Sequence, residues 1–267
     1  MTRLRDYNRS LIGQPGSRHQ IETPALVVDL DALQTNIDGM QAFATAGGFN
    51  IRPHGKTHKC AEIARRQMAA GAVGVCAAKL GEAEVFAAGG VGQILLTSPV
   101  VAPGRISRLL DLAAAHPDVI TVTDDPENVA ALNAAALSRG VILNLLVDVD
   151  AGFHRFGTES PAAACALAQQ IADAPALRLR GVQGYAGDVQ HIANFEKRRI
   201  ESEKRIRMLG AARDAIRAAG LECDIVTGGG TGTHAIDPAL GILTDVQVGS
   251  YIFSDVQYDH VELRATD

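Results

Sequence analysis

The sequence predicts an α/β fold, and within that class a (β/α)8 TIM barrel. Three observations lead there. Short apolar runs alternate with amphipathic stretches along nearly the whole chain, the pattern of βαβ units on a parallel sheet. The apolar runs are rich in Val, Ile and Leu with little polar alternation, as in strands covered on both faces. Eight of them follow one another after the first, and 267 residues suit one barrel of about 250 residues as well as two domains of roughly 150. An open doubly wound sheet is the alternative.

Taken in order, residues 1–22 read as an N-terminal extension and 23–267 as the barrel domain. Residues 25–30 look like a strand leading to Asp31, which with Gln34 three residues on reads as a helix cap before Ile37, Met40 and Phe43. The eight barrel strands are expected at 49–53, 72–77, 93–98, 119–123, 142–148, 179–185, 223–227 and 246–252. Helices are expected at 59–70, 81–88, 103–115, 126–139, 161–172 and 192–219. Pro near their starts and Gly after their ends follow the usual asymmetry. After the eighth strand about fifteen residues remain, too few for a full closing helix.

Composition narrows the function. The 25 basic and 30 acidic residues leave a net charge of -5, which argues against general nucleic-acid binding and against a cationic membrane-surface protein. Residues 85–104 carry no charge, but four Gly and two Pro lie among them, contrary to a membrane-spanning helix. Cys60, Cys76, Cys165 and Cys223 are too far apart in sequence for the usual zinc pairs. They read as reduced thiols of a cytoplasmic protein, and the start Met-Thr-Arg-Leu-Arg-Asp lacks the apolar core of a secretory signal.

A barrel works at the C-terminal ends of its strands. Strand one runs into Arg52-Pro-His-Gly-Lys56-Thr-His-Lys59, strand five into His154-Arg155, strand six into Gln183-Gly-Tyr185 and then His191. Strand seven runs into Gly228-Gly-Gly-Thr-Gly232, and strand eight holds Gly249-Ser250-Tyr251. Glycine turns after strands seven and eight suit a phosphate, since backbone N–H groups can approach its oxygens and Thr231 and Ser250 add hydroxyl donors. The same letters do not make a P-loop, because Asn50 stands where glycine is required. Nor do they make a dinucleotide fingerprint, because Pro238 follows too soon for a helix to carry a pyrophosphate.

Lys56, flanked by His54, His58, Lys59 and Arg52, sits in a positive surrounding that favours the neutral amine needed for a Schiff base; a solvated basic loop is the alternative. A lysine facing a phosphate cradle is what pyridoxal phosphate requires. Arg155 reads either as a fork for a carboxylate or phenolic oxygen, or as an ion-pair partner of Asp148 or Asp150. Tyr185 either orients a ring or packs in the core. His191 either moves a proton at a substrate hydroxyl or caps a helix on the surface.

Together Thr23-Pro-Ala25, Val28-Asp-Leu30, residues 52–59, His154-Arg-Phe-Gly157, Gln183-Gly-Tyr185, Val189-Gln-His191, Gly228–Gly232 and Val248-Gly-Ser-Tyr251 resemble the fold-type III pyridoxal-phosphate enzymes. Within them they resemble the D-threonine aldolase and D-serine dehydratase group, whose barrel is similar to the alanine racemase N-terminal domain. The resemblance spans about residues 23–260. It implies Lys56 as the Schiff-base lysine, Thr231, Gly249 and Ser250 at the cofactor phosphate with Gly229, Gly230 and Tyr251 beside them, Arg155 and Tyr185 around the ring or substrate, and His191 near the β-hydroxyl. The implied reaction is retro-aldol cleavage of a D-3-hydroxy amino acid to glycine and an aldehyde. Dehydratase-type elimination from D-serine or 3-hydroxy-D-aspartate, and cofactor binding without turnover, are the alternatives; a phosphate-binding barrel that uses Lys56 without any cofactor is a third. The family also implies a homodimer and a divalent metal, Mn or Mg, held by a second, β-rich domain that is missing from this chain, so no metal ligand is assigned here. Two departures bear on the substrate: Ala77-Ala78-Lys79 stands where the aldolases tend to have Cys-Gln-Lys, and Tyr185-Ala186-Gly187 where they often have Tyr-His-Gly.

Overall fold

The apolar runs form eight parallel strands in a computed structural model that describes residues 7–263. Residues 1–6 of the expected extension and 264–267 of the expected barrel domain lie outside the described residues. The strands are β1 (Asn50–Ile51), β2 (Val75–Ala77), β3 (Ile94–Leu96), β4 (Ile120–Thr123), β5 (Leu143–Asp148), β6 (Leu177–Gly184), β7 (Ile225–Gly228) and β8 (Asp245–Val246). They run in the order β1-β8-β7-β6-β5-β4-β3-β2. A parallel bridge between His54 and Cys76, with the Cys76 N–H donating to the Pro53 carbonyl at 2.8 Å, brings β1 and β2 together, so the sheet closes into the expected barrel.

Among the described residues it is covered by helices α1 (Leu30–Gly47), α2 (Ala61–Ala70), α3 (Leu80–Ala88), α4 (Pro103–Ala115), α5 (Pro126–Arg139), α6 (Pro161–Asp173) and α7 (Phe195–Ala218). Pro occupies the first helical position of α4, α5 and α6, where its missing N–H has no intrahelical partner to lose. Strand residues alternate between two environments. Val75, Ala77, Ile94 and Leu96 pack outward in the large strand–helix core, while Cys76, Leu95, Ile120, Val122 and Leu146 pack against one another in the smaller one.

Four expectations need correction. Residues 25–30 form no strand: Leu26 is 103% and Val27 70% exposed, because a closed barrel offers no free edge to pair with. The cap of α1 is Asp29, not Asp31; the Asp29 backbone is extended and its carboxylate accepts from the Asp31 and Ala32 N–H groups. The last long helix starts at Phe195 behind an Asn194 cap, so His191 lies in the preceding turn. Strands one and eight are also shorter than expected. Beyond their ladders the chain still bonds across, His54 N–H to Val248 carbonyl at 2.8 Å, but Pro53 and Gly249 bend it into the rim.

Candidate active site

Lys56 stands in a short 3-10 turn, Gly55–Thr57, just beyond β1. His54 caps that turn: its Nδ1 accepts from the Lys56 N–H at 3.4 Å, and its Nε2 lies 3.3 Å from Thr97 Oγ1. Burial, then the charges of Lys56, Arg155 and His58, hold the His54 pKa well below the ordinary histidine range. The ring is therefore neutral, and with Nδ1 accepting, its proton belongs on Nε2 and is donated to Thr97. The Thr97 hydroxyl in turn donates a hydrogen bond to the Ala77 carbonyl at 3.2 Å. The turn that carries the lysine is thus tied to β2 and β3.

The Lys56 ammonium lies 5.1 Å from the centre of the Tyr185 ring, at the end of β6. Burial first, and the Arg155 guanidinium second, lower the Lys56 pKa, with Cys76 and Glu82 pulling weakly the other way. Arg155 lies near the same ring, its Cζ 5.6 Å from the Tyr185 centroid and 4.1 Å from that of Phe156. Arg155 makes no close ion pair with Asp148 or Asp150 among the described residues, although its charge acts on the buried Asp148 carboxyl. Asp150 is taken by His154, Nδ1 to Oδ2 at 2.8 Å, and by the Gly152 and His154 N–H groups. Asp148 is buried and accepts from Gln183 at 3.1 Å. Arg155 has no salt bridge among the described residues.

Beyond β7, Gly229 adopts φ 67 and the chain enters a 3-10 turn, Thr231–Thr233. A Cβ on Gly230 would stand 2.6 Å from Gln190 Oε1, and one on Gly232 would stand 2.0 Å from the Gln190 carbonyl oxygen. The glycines therefore also admit Gln190, a residue to which the sequence suggested no role. Gln190 accepts from the Gly232 N–H at 3.0 Å and donates to Thr233 Oγ1 at 3.1 Å, which locks the His191 segment onto this turn.

The two glycine turns meet. The Gly249 N–H donates to Thr231 Oγ1 at 3.1 Å, and a Cβ on Gly249 would stand 3.0 Å from Thr57 Oγ1. The turn after β8 therefore touches both the turn after β7 and the one that carries Lys56. The N–H groups of Thr231 and Ser250, each first in its 3-10 turn, meet no backbone acceptor among the described residues. A cavity of about 330 Å³ opens beside them, lined by Thr231, His234, Ser250, Tyr251 and Tyr258 together with residues of α1. The Tyr251 hydroxyl is engaged by Gln67 of α2 at 2.9 Å, so this tyrosine meets the cavity with its ring.

His191 is exposed, and its ring lies 4.8 Å from that of Tyr258, a contact absent from the sequence reading. Burial, then the neighbouring Tyr185, push the Tyr258 hydroxyl up to about 12. Tyr258 thereby connects His191 to the Lys56–Tyr185–Arg155 group. Among the described residues no group of three or more His, Cys, Asp or Glu could hold a metal ion.

Behind the β7 turn, Asp237 is fully buried and accepts from Ser202 and Thr233 hydroxyls. Burial raises its pKa to about 6, against the pull of those two donors. An unfolded aspartate titrates near ~3.9, so the folded state gains from the neutral carboxyl below about pH 4 and loses that gain as pH rises toward 6, by roughly 3 kcal/mol in all. Asp237→Asn is expected to flatten this segment of the stability curve. Denaturant unfolding of both proteins between pH 4 and 7 checks it; parallel curves would refute it.

Barrel and rim together define the fold-type III pyridoxal-phosphate class: one lysine, one arginine and one tyrosine converge at a mouth whose seventh and eighth turns are joined. The chain belongs to the family of the alanine racemase N-terminal domain, which residues 28–256 match. It is 40% identical over 243 residues to the 3-hydroxy-D-aspartate aldolase of Paracoccus denitrificans (strain Pd 1222), covering 91% of this chain and 63% of that protein. Among solved structures it is similar to D-threonine aldolase from Filomicrobium marinum, with a TM-score of 0.87 and 35% identity over 92% of this chain and 67% of the other. It is also similar to D-threo-3-hydroxyaspartate dehydratase from Delftia sp. HT23, with a TM-score of 0.85 and 32% identity over 91% and 64%. The chain thus spans about two-thirds of the length of these relatives.

Proposed function

We propose that this chain is the cofactor-binding barrel of a pyridoxal-phosphate-dependent lyase that splits D-3-hydroxy amino acids into glycine and an aldehyde. One observation carries the reading: a lysine of lowered pKa faces Tyr185 and Arg155 on the rim where the turns after β7 and β8 join. The residues present fit the cofactor. Lys56 would hold its aldehyde carbon, Arg155 its phenolic oxygen or the substrate carboxylate, and Gly229, Gly230, Thr231, Gly249 and Ser250 its phosphate, with Tyr251 packed behind and Tyr185 beside the ring. Bound, it supplies an electron sink for the pair released when the Cα–Cβ bond breaks.

The chain's own contribution is to hold and move protons around that bond. A neutral amine at Lys56 is favoured by its surroundings. His191, backed by Tyr258, takes the proton of the β-hydroxyl as the aldehyde forms. Arg155 orients an acidic group by a two-pronged hydrogen bond. The family adds a divalent metal, Mn or Mg, to the proposal, along with a homodimer and a cytoplasmic setting. Sedimentation of the purified protein tests the dimer.

A dehydratase is the second reading, supported by the similarity to the Delftia protein. Incubation of the protein with pyridoxal phosphate, Mn²⁺ and either D-threonine or 3-hydroxy-D-aspartate separates them. Glycine plus aldehyde is the expected result, whereas a 2-oxo acid would make it a dehydratase. Cofactor binding with no product from either substrate would leave a carrier without turnover.

A further inference from the structure

Arg198, near the start of α7, heads the fully buried side chains by size, yet no carboxylate accepts from it. Its guanidinium donates to four backbone carbonyls: Nε to Gly232 at 2.7 Å, Nη1 to Ile192 and to Ala193 at 3.2 Å, and Nη2 to Glu262. These carbonyls belong to three separate segments. Gly232 is in the turn after β7, Ile192 and Ala193 follow His191 directly, and Glu262 lies four residues beyond Tyr258. The Glu262 carboxylate accepts from the N–H of Phe195 at 2.9 Å and acts on Arg198 only through its charge, against the pull of burial.

One helical turn further, Ser202 is equally buried and donates to Asp237, whose other oxygen accepts from Thr233. Helix α7 therefore holds two adjacent residues of the β7 turn, Gly232 directly by its carbonyl and Thr233 through Asp237. Spacing of i and i+4 puts the two gripping side chains on one face. The acid is bonded at Thr233 and the guanidinium at Gly232. A guanidinium stays protonated in proteins. The Arg198 hydrogen bonds go to carbonyl dipoles, the Phe195 ring lies 5.5 Å from its Cζ and the Glu262 carboxylate acts on it by charge, so the part of its charge that Glu262 leaves uncompensated is felt by the N–H groups of the same turn.

We propose that Arg198 is a positioning residue for the anion cradle. It draws the Gly232 carbonyl backward so that the turn presents N–H groups to the mouth, and it lends the cradle the positive charge that favours a phosphate-bearing ligand over its dephosphorylated form. This rests on the reading of the β7 and β8 turns as the site of the cofactor phosphate.

The test uses the full chain and two probes, pyridoxal phosphate and pyridoxal, each titrated by absorbance, with a circular-dichroism melt as the check on folding. Wild type binding both probes equally would sink the reading of the cradle, whatever Arg198 does. Given a wild-type preference for the phosphate ester, Arg198→Gln is expected to weaken pyridoxal phosphate at least about tenfold and to leave pyridoxal within about threefold. Arg198→Lys, which keeps the charge, is expected to retain the preference within about threefold. A folded R198Q with an unchanged ratio, or with both probes weakened alike, would overturn the proposal. Should R198Q fail to fold, Arg198→His titrated at pH 6 and pH 8 decides: a phosphate preference that rises toward pH 6 by more than in wild type supports the role, and a pH dependence like that of wild type refutes it.

Discussion

Lys56→Ala is expected to abolish borohydride-fixable attachment of pyridoxal phosphate and to lower cleavage by at least about 10³-fold, because under the proposed function no other amine replaces the one that holds the cofactor. The neighbouring lysine does not substitute: Lys59 has a side chain 63% exposed, with its Nζ 3.7 Å from Glu82 Oε1, and φ 50 at its backbone carries it out of the Lys56 turn. The readout is the mass of the borohydride-treated protein, followed by peptide mapping. An adduct that persists in the variant at another lysine would remove Lys56 from the site and with it the functional reading.

His191→Ala is expected to keep the cofactor but lose about 10²- to 10⁴-fold in cleavage, the usual worth of a positioned general base. The separation follows from the geometry. His191 leans on Tyr258, whereas the residues that would hold the cofactor are Lys56, Arg155 and the joined turns. Visible absorbance with pyridoxal phosphate should match wild type, while release of glycine from D-threonine falls. Unchanged turnover would take His191 out of the chemistry, and lost absorbance would make it part of the binding site instead.

Much of the frame was legible in the sequence because it is local. Pro103, Pro126 and Pro161 mark three helix starts to the residue, since a fixed φ and a missing N–H suit that position and few others. The apolar runs around Val75, Ile94, Ile120 and Leu145 mark strands because both faces are buried. The same rule misled at residues 25–30, where an apolar run has no strand to pair with. The cap of α1 was misplaced by two residues because Asp29 and Asp31 are equal as letters, and only the extended backbone at Asp29 lets its carboxylate turn back onto the helix N–H groups.

The candidate site divides in the same way. Residue types at strand ends single out Lys56, Arg155, Tyr185, Thr231 and Ser250, since a barrel collects those ends on one rim. His54 with Thr97, Gln190 with Gly232, Tyr258 with His191 and Arg198 with Gly232 are hydrogen-bond or ring partners far apart in the chain, or joined through loops without any period. The sequence by itself determined which chemical groups reach the rim, because strand and helix signals are read over a few neighbouring residues. Tertiary structure alone decided what holds those groups in place, because a buried donor takes whichever acceptor the closed barrel brings within about 3 Å, regardless of its position along the chain.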